Sequence, residues 1–279
     1  MQGNTFNVIS EHLNQMSARE KKWFVRYWLR KPRNGINESM MIKSMQIRHP
    51  SEDINKLSHF SSLFKIEQHL SEGKLIKPGL SFGTFVKPML AKPYEVKKKP
   101  ENILIDIKYD GNRYQIHERG FDVIIFNRRG KNVTNQFTDV VDWLLEFDFN
   151  FVIDTEIYPI NTDGSPAEHK LMAKRVHKKD KQEAIQECPV RLAIFDLLSL
   201  NGVSYLDDPL FARVETLGET FPEMHLAYVF DKGDTLETAY NIAINRGFEG
   251  IMIKDADLTY QPGKRSIGWL KYKPPRFEL

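Results

Sequence analysis

The sequence predicts an α+β protein: an all-helical N-terminal domain, residues 1–80, is followed by a domain of strands and helices, residues 101–279. Apolar residues repeat at spacings of three and four in the first part, as on one face of a helix. In several segments of the second part they repeat at spacings of two, the period of a half-buried strand. Residues 81–100 are rich in proline, glycine and lysine, which is typical of a connecting segment.

The helical period of the first part is clearest from Ile54 to Leu70, and Gly73 follows as a stop signal. Another helix is predicted after Ser17, because Ser17 and Glu20 have the spacing of a capping box. Basic residues recur at helical spacing on this helix, namely Arg19, Lys22, Arg26 and Arg30. This stripe is equally compatible with contact to DNA phosphates and with a solvated face opposite an aromatic core face.

Strand periodicity in the second part covers residues 103–107, 122–126, 151–157, 191–196 and 250–254. Capping residues predict helices that begin at Ser165, at Asp208 and at Thr235, and the last of these is predicted to end at Gly247. The second part is therefore expected to combine sheets with flanking helices.

Charge and cysteine content narrow the possible functions. The formal net charge is +3, yet residues 1–80 hold 13 Lys and Arg against 7 Asp and Glu, so a polyanionic partner is expected for this part. No apolar run is long enough to span a membrane and no signal peptide is recognisable, so we expect a cytoplasmic protein without a membrane partner. The single cysteine, Cys188, excludes a disulfide framework within the chain and a multi-cysteine zinc site.

One short segment, IDIKYDGNRYQIH at residues 105–117, places two cations on either side of a tight turn. Lys108 ends an alternating strand, Asp110 and Gly111 form a strong turn pair, and Arg113 opens the next strand. Taken alone, such a pattern is more often a surface hairpin with solvated cations. Other segments are needed to assign it a function.

Further polar residues lie at predicted strand ends. Asp154 and Glu156 share one face of a strand, and Lys271 and Lys273 have the same spacing of two. Carboxylates and cations around a sheet-lined cavity suit a nucleoside triphosphate with Mg²⁺, since cations bind phosphate oxygens and carboxylates bind the hard metal ion. The sequence lacks the phosphate-binding loop of P-loop proteins, the Gly-x-Ser-x-Gly elbow and the His-Glu-x-x-His zinc motif.

The segment KYDGNR at residues 108–113 matches Lys-x-Asp-Gly-x-Arg, and the chain resembles the covalent nucleotidyltransferases, which are polynucleotide ligases and capping enzymes. Five more motifs follow in order: NRRG, DTEI, FDLLSLNG, EGIMIKD and YQPGKRSIGWLKYK. With FVKPMLA before the lysine, the set is similar to an ATP-dependent DNA ligase over residues 85–273. The N-terminal helices show a weaker likeness to the DNA-binding domain of that family.

This resemblance implies an ATP-grasp-like nucleotidyltransferase domain with antiparallel sheets flanked by helices. It also implies sealing of nicked duplex DNA through a lysyl-AMP intermediate on Lys108, with ATP and Mg²⁺ as cofactors. The implied nucleotide-binding residues are Asp106, Arg113, Arg128, Glu156, Phe195, Arg265, Lys271 and Lys273, and the implied metal ligands are Glu156 and Glu249. In this scheme Phe195 stacks on adenine, and Asp106 stands where the family usually has glutamate.

A lysine nucleophile must lose its proton, so we expect Lys108 to lie among cations that have no acidic partners. The family continues beyond the position of Lys273 into an OB-fold domain that this sequence does not contain. We therefore expect slow charging of Lys108, in a chain that is a fragment, a natural short form, or one whose OB-fold domain is supplied by a partner. We also expect a monomer. The alternatives are an RNA ligase or capping-type nucleotidyltransferase, and a noncatalytic nucleic-acid-binding fragment.

Overall fold

The computed structural model describes residues 13–28, 37–74, 79–95 and 100–273. The N-terminal part contains helices α1 (Ala18–Trp28), α2 (Glu38–Arg48), α3 (Ile54–Leu57) and α4 (Leu63–Ser71). The predicted capping box is confirmed, because Ser17 N donates to Glu20 Oε2 at 2.8 Å and Glu20 N donates to Ser17 Oγ at 3.3 Å. A small core joins α2, α3 and α4, and it consists of Met45, Ile54, Leu57 and Ile66.

The remaining elements are a mixture of strands and helices, as the periods of the apolar residues predict. The strands are β1 (Leu90–Pro93), β2 (Ile103–Lys108), β3 (Asn112–Arg119), β4 (Asp122–Asn127), β5 (Phe151–Pro159), β6 (Val190–Leu200), β7 (Val203–Ser204), β8 (Gly250–Asp255) and β9 (Arg265–Tyr272). The helices are α5 (Thr138–Leu144), α6 (Leu171–His177), α7 (Lys181–Glu187), α8 (Leu210–Thr220) and α9 (Leu236–Asn245). None of the described helices combines the length and apolarity needed to span a bilayer.

The strands form two sheets. One has four strands in the order β1-β9-β8-β2, and the other has five in the order β4-β3-β5-β6-β7. Neighbouring strands are antiparallel, as expected, except that β1 pairs in parallel with β9. The exception arises because β1 joins the edge of the four-stranded sheet from a segment distant in sequence, where no hairpin imposes an antiparallel direction.

The two sheets share one apolar layer, and helices cover their outer faces. Trp269 of β9 packs in the shared layer with Met89, Val152 and Leu198. The next residue of each strand points away from this layer: Leu270 packs toward α9, and residues 153 and 197 pack toward α5, α6 and α8. Strand alternation thus explains why both faces of β5, β6 and β9 are apolar.

One predicted helix start is wrong. The pattern at Ser165 predicted that a helix begins there, whereas α6 begins at Leu171. Ser165 instead closes a tight turn, because its backbone N and its Oγ both donate to Asp163 Oδ1, at 2.9 and 2.6 Å. The backbone of Ala167 is also occupied, since its N donates to Pro159 O at 2.9 Å. A capping residue that finds a nearer acceptor favours the turn over the helix.

Glycine is required at two places where strands approach closely. A Cβ on Gly111, in the turn after Lys108, would lie 2.3 Å from the carbonyl oxygen of Ile157. A Cβ on Gly250, which follows Glu249, would lie 2.3 Å from the carbonyl oxygen of Tyr272, and Gly250 also has a φ of 148°. Both contacts are closer than any side chain permits. Gly111 therefore allows the turn after β2 to approach β5, and Gly250 allows the start of β8 to approach the end of β9.

A fully buried ion pair lies beneath the shared layer. Arg213 of α8 donates from Nε to Asp196 Oδ1 at 2.7 Å and from Nη2 to Asp196 Oδ2 at 3.1 Å, and neither side chain is exposed. The remaining Nη1 group donates to the carbonyl oxygens of Asp208 and Leu258. Because every charged oxygen and most donors have partners, the pair is compatible with burial.

We predict that Asp196→Ala lowers the free energy of unfolding by about 3–5 kcal/mol, because it leaves the buried Arg213 guanidinium without its counter-charge. Urea denaturation would measure this loss. The matched control is the double variant Asp196→Leu with Arg213→Met, which removes both charges and should recover most of the stability. A loss below about 1 kcal/mol in the single variant would contradict the prediction.

Candidate active site

A cavity of about 510 Å³ opens between the two sheets, and its walls carry the residues singled out from the sequence. Lys108 lines it together with seven of the eight implied nucleotide-binding residues, namely Asp106, Arg113, Arg128, Glu156, Phe195, Lys271 and, at the rim, Arg265. These residues come from five strands and one turn that are far apart in the sequence. The structure therefore brings the predicted site together, with Glu249 and Lys273 beside it at Lys108.

Lys108 has an acidic partner, contrary to expectation. Its Nζ donates to Glu249 Oε2, and Lys273 Nζ donates to Glu249 Oε1 at 2.7 Å. Burial raises the pKa of Glu249, but the hydrogen bonds from the two lysines outweigh burial and place the pKa below its ordinary value. The expectation of cations without acidic partners is therefore wrong for Lys108 and Lys273.

Lys271 lies in a different environment on the cavity wall. Burial lowers its pKa, and the nearby charges of Lys273, Lys108 and Arg265 lower it further, against a smaller opposing effect of Glu249. Clustered positive charge disfavours each additional proton. Lys271 is thus the lysine at which the expected mutual repulsion of cations is found.

Arg113 is turned into the protein. Its Nη2 donates to Asp154 Oδ2 at 2.5 Å and to the Tyr260 hydroxyl at 3.1 Å, and its Nη1 donates to Met89 O at 2.6 Å. Burial lowers the pKa of Arg113, but the charge of Asp154 more than offsets this and the pKa is raised. The Nη groups of Arg113 are therefore held in an internal ion pair, because an arginine buried at this depth needs a carboxylate. Its contact with phosphate stays a prediction.

Asp154 and Tyr260 were not predicted as site residues. Tyr260 OH also donates to Asp154 Oδ2, at 2.6 Å, so this one carboxylate oxygen accepts from both Arg113 and Tyr260. Asp154 is 1% exposed, which leaves it with no contact to solvent. The signal available in the sequence was the alternation that places Asp154 and Glu156 on one face, but it did not identify the partner.

Glu156 is the carboxylate that remains available in the cavity. Its carboxylate accepts no hydrogen bond from the part of the chain that the structure describes. Burial raises its pKa to about 7, although the charges of Lys108, Arg113 and Arg128 act in the opposite direction. The side chain is therefore near the midpoint of its titration at neutral pH, and any bound cation would shift it to the carboxylate form.

One end of the cavity has an aromatic and a charged wall. Phe195 lies with its ring 4.8 Å from Lys254 Nζ, and Lys254 donates to Asp106. Burial raises the pKa of Asp106, while Lys254 opposes the shift. The second oxygen of Asp106, Oδ1, is buried and has no hydrogen-bond partner in the described chain. A flat apolar ring next to an unpaired acceptor is suited to a nucleobase with an amino group.

Two arginines lie at the rim, where their charges reach the cavity from outside. Arg128 and Arg265 are both exposed, and Arg265 Nη1 donates to Ala91 O at 2.7 Å. Arg128 is close enough to Glu156 to lower its pKa. Both guanidinium groups keep donors free for an anion.

The predicted DNA-binding stripe is described only in part. Arg19 and Lys22 are exposed on α1, and Arg26 is half-buried with its guanidinium 5.3 Å from the centre of the Trp23 ring. Arg30 lies outside the described residues. The described part of the stripe therefore presents two free cations and one that stacks on an aromatic ring.

Within the described ranges, His, Cys, Asp and Glu nowhere form a group of three that could hold a metal ion. The fit of Mg²⁺ must therefore be judged from single carboxylates. Glu156 is suited to it, since its oxygens are free and it faces the cavity, and Mg²⁺ often takes one or two carboxylates with water and phosphate oxygens. Glu249 would first have to release Lys108 or Lys273.

We predict that Glu156→Gln raises the thermal unfolding midpoint at about pH 8 and leaves it unchanged at about pH 4. The pKa of Glu156 is raised from 4.5 to about 7 on folding, so above pH 4.5 the unfolded chain loses its proton more readily than the folded chain. The wild type therefore loses stability as the pH rises from 4.5 through about 7, because ionised Glu156 is disfavoured in the folded protein. An equal effect of the variant at both pH values would contradict this.

Comparisons with known proteins agree with the geometry. Residues 88–273 match the family model of the ATP dependent DNA ligase domain. A DNA ligase of Acidianus ambivalens is 32% identical over 94% of this chain, and the match covers 48% of that protein, so the chain spans about half the length of such relatives.

Solved structures give the same result. The ligase domain of LigD from M. tuberculosis is 26% identical, with a TM-score of 0.55 over 67% of this chain and 60% of its own. A mycobacterial DNA ligase D complexed with ATP and MES is also 26% identical, with a TM-score of 0.54 over 67% of this chain and 59% of its own. The family match covers most of the chain and includes every strand described here. This chain belongs to the family of proteins that contain the ATP-dependent DNA ligase domain.

Proposed function

We propose that this chain is the DNA-binding and adenylating part of an ATP-dependent DNA ligase that seals nicks in duplex DNA. The observation that carries the proposal is that Lys108, at the end of β2, borders a cavity that also presents Glu156, Phe195 and Lys271. These are a nucleophile, a free carboxylate, an aromatic wall and a cation, which together suit a nucleotide.

In the first step, Lys108 Nζ attacks the α-phosphorus of ATP, an N–P bond forms, and the bond to pyrophosphate breaks. The ammonium form cannot attack, so Lys108 must leave its ion pair and lose a proton. Glu249 is the acceptor in contact with that proton, and Lys273 continues to compensate the charge of Glu249 from the other oxygen.

The cavity accounts for the other parts of the nucleotide. Adenine would stack on Phe195 and give its amino group to Asp106 Oδ1, the buried acceptor without a partner. Lys271, Arg128 and Arg265 would neutralise the phosphate oxygens, on which negative charge is spread during in-line attack. Glu156 would bind the ribose and Mg²⁺, and the metal ion would supply further neutralisation of phosphate charge when bound.

Arg113 has a different role in this proposal from the one inferred from the sequence. Because its two Nη groups donate to Asp154, Tyr260 and Met89 O, while its buried Nε has no partner among the described residues, it supports the cavity floor. Its guanidinium lies 5.1 Å from the centre of the Phe195 ring. In this proposal the cations that bind phosphate are Arg128, Arg265 and Lys271. We infer that Arg113 positions Phe195 for the nucleobase.

The later steps use the same cations. AMP passes from Lys108 to the 5′-phosphate at the nick, and the 3′-hydroxyl then attacks the activated phosphate and releases AMP. Residues 1–80 would form an all-helical domain that binds the phosphates of the duplex through Arg19, Lys22, Arg26 and Arg30. Residues 81–100 would connect it to the adenylation domain, residues 101–279.

Other properties of the complete enzyme are also part of the proposal. An OB-fold domain, in a longer chain or in a partner, would orient the pyrophosphate and speed the first step. The enzyme would act as a monomer in the cytoplasm, where its DNA substrate lies.

Intact mass after incubation with ATP and Mg²⁺ is predicted to increase by one AMP. The increase should disappear in Lys108→Ala and persist in Lys232→Ala, which removes an exposed lysine that does not line the cavity. Absence of the adduct with excess ATP would favour a noncatalytic nucleic-acid-binding fragment.

An adduct formed with GTP in preference to ATP would favour a capping-type enzyme, and faster sealing of nicked RNA than nicked DNA would favour an RNA ligase. Robust multi-turnover sealing by this polypeptide alone would refute the proposed slow charging.

The DNA-binding stripe is tested through the salt dependence of binding to nicked duplex. Arg19→Ala and Lys22→Ala should each weaken binding uniformly across sequences and reduce the slope of log K against log salt by about one. The matched control is Lys178→Ala, since Lys178 is held by Glu183 and Glu187 at 2.7 Å and has no free charge for DNA. Unchanged slopes in both stripe variants would refute the contact.

A further inference from the structure

The loop that carries Arg265 into the cavity is attached to the N-terminal helices through the backbone. Lys87 N donates to the carbonyl oxygen of His59, which follows α3, at 2.9 Å. Gly263 N donates to the carbonyl oxygen of the same Lys87, also at 2.9 Å. Three segments that are distant in sequence are thus joined by two consecutive backbone bonds.

The imidazole of His59 packs directly on this loop. A Cβ on Gly263 would lie 3.0 Å from His59 Cδ2 and 3.1 Å from His59 Nε2, and Gly263 has a φ of 72°. Glycine is therefore required both for the backbone conformation and for the approach of the ring. A side chain on Gly263, or loss of the ring at His59, would alter where the loop lies.

The position of the loop is passed on to Arg265 over two residues. Leu90 N donates to Lys264 O at 2.8 Å, and Arg265 Nη1 donates to Ala91 O at 2.7 Å, so the loop and β1 are aligned where β9 begins. The rim arginine is exposed, and among the described residues its side chain makes this one hydrogen bond. Its direction therefore depends on the backbone that precedes it.

The ring of His59 is suited to a neutral packing role. Burial lowers its pKa, the charges of Lys87 and Lys264 lower it further, and Asp53 and Glu38 oppose the shift. The ion pair of Lys87 with Glu38, at 2.6 Å, is largely exposed and adds little by itself. The contact that holds the loop is consequently the ring and the backbone bonds, and the surface ion pair is secondary.

We propose that His59 is a positioning residue for nucleotide binding: through its contact with Gly263, the N-terminal helical part sets the position of Arg265 at the rim of the cavity. This inference rests on the proposed function, in which Arg265 binds the phosphates of ATP. It makes the helical part a component of the nucleotide site in addition to its proposed contact with DNA.

The test measures the rate of Lys108 adenylation in a single turnover as a function of ATP concentration, using the full chain. In His59→Ala the ATP concentration for half-maximal rate should rise about tenfold while the limiting rate stays within about twofold, the pattern of weakened ground-state binding. His69→Ala is the matched control, because His69 lies on α4 of the same helical part and its ring is hydrogen-bonded within that helix, to Lys65 O at 2.9 Å. The control should behave like the wild type.

A double-variant cycle separates positioning from general damage. Gly263→Ala should also raise the required ATP concentration, and the combined variant with His59→Ala should lose less than the product of the two single losses, since removal of the ring makes room for the methyl group. An unchanged ATP dependence in His59→Ala, a fall in limiting rate that follows a loss of folded protein, or strictly multiplicative losses would each overturn the proposal. Absence of adenylation in the wild type would instead refute the proposed function.

Discussion

The buried ion pair between Arg113 and Asp154 is the constraint on which the rest of the structure depends. It joins β3 to β5, and through Tyr260 and Met89 O it also holds the loop before β9 and the segment before β1. A charge removed from water is tolerated only where counter-charge and hydrogen bonds replace the lost hydration. The two sheets can therefore close over their shared layer in the arrangement that satisfies this pair, and the cavity lies at its edge.

The two glutamates at the site show how one residue type acquires two roles. Glu249 is held by two lysines and has a lowered pKa, whereas Glu156 is buried without a hydrogen-bond partner in the described chain and has a pKa of about 7. Environment separates the two titrations, as is common where acid, base and metal-binding functions coexist. Glu156 reduces stability when ionised, and such a cost is typical of a side chain retained for ligand binding.

A second set of contacts connects the N-terminal helical part to the cavity. In the described chain, Phe60 packs against the layer shared by the two sheets, next to the backbone bonds made by Lys87. Contacts of this kind are few but directional, because backbone hydrogen bonds fix both distance and angle. They allow an element outside the sheets to influence where a rim side chain lies.

Local pattern in the sequence identified strands β2 to β6 and β8 and helices α1, α8 and α9 of this protein. Alternation identified β2 and β5 and placed Asp154 and Glu156 on one face, since side-chain direction in a strand follows from geometry alone. Spacing did not reveal the parallel direction of β1, which depends on an edge that exists only in the folded sheet.

The partners of the charged residues were decided by the tertiary structure alone. Lys108 and Glu249 are 141 residues apart, and Arg113 and Asp154 are 41 apart. The sequence shows which groups carry charge, but the pairing depends on burial and on the approach of strands at Gly111 and Gly250, where no side chain intervenes. For that reason the chemistry-bearing residue types were predictable from the sequence, while the ionisation and hydrogen bonding of each followed from the fold.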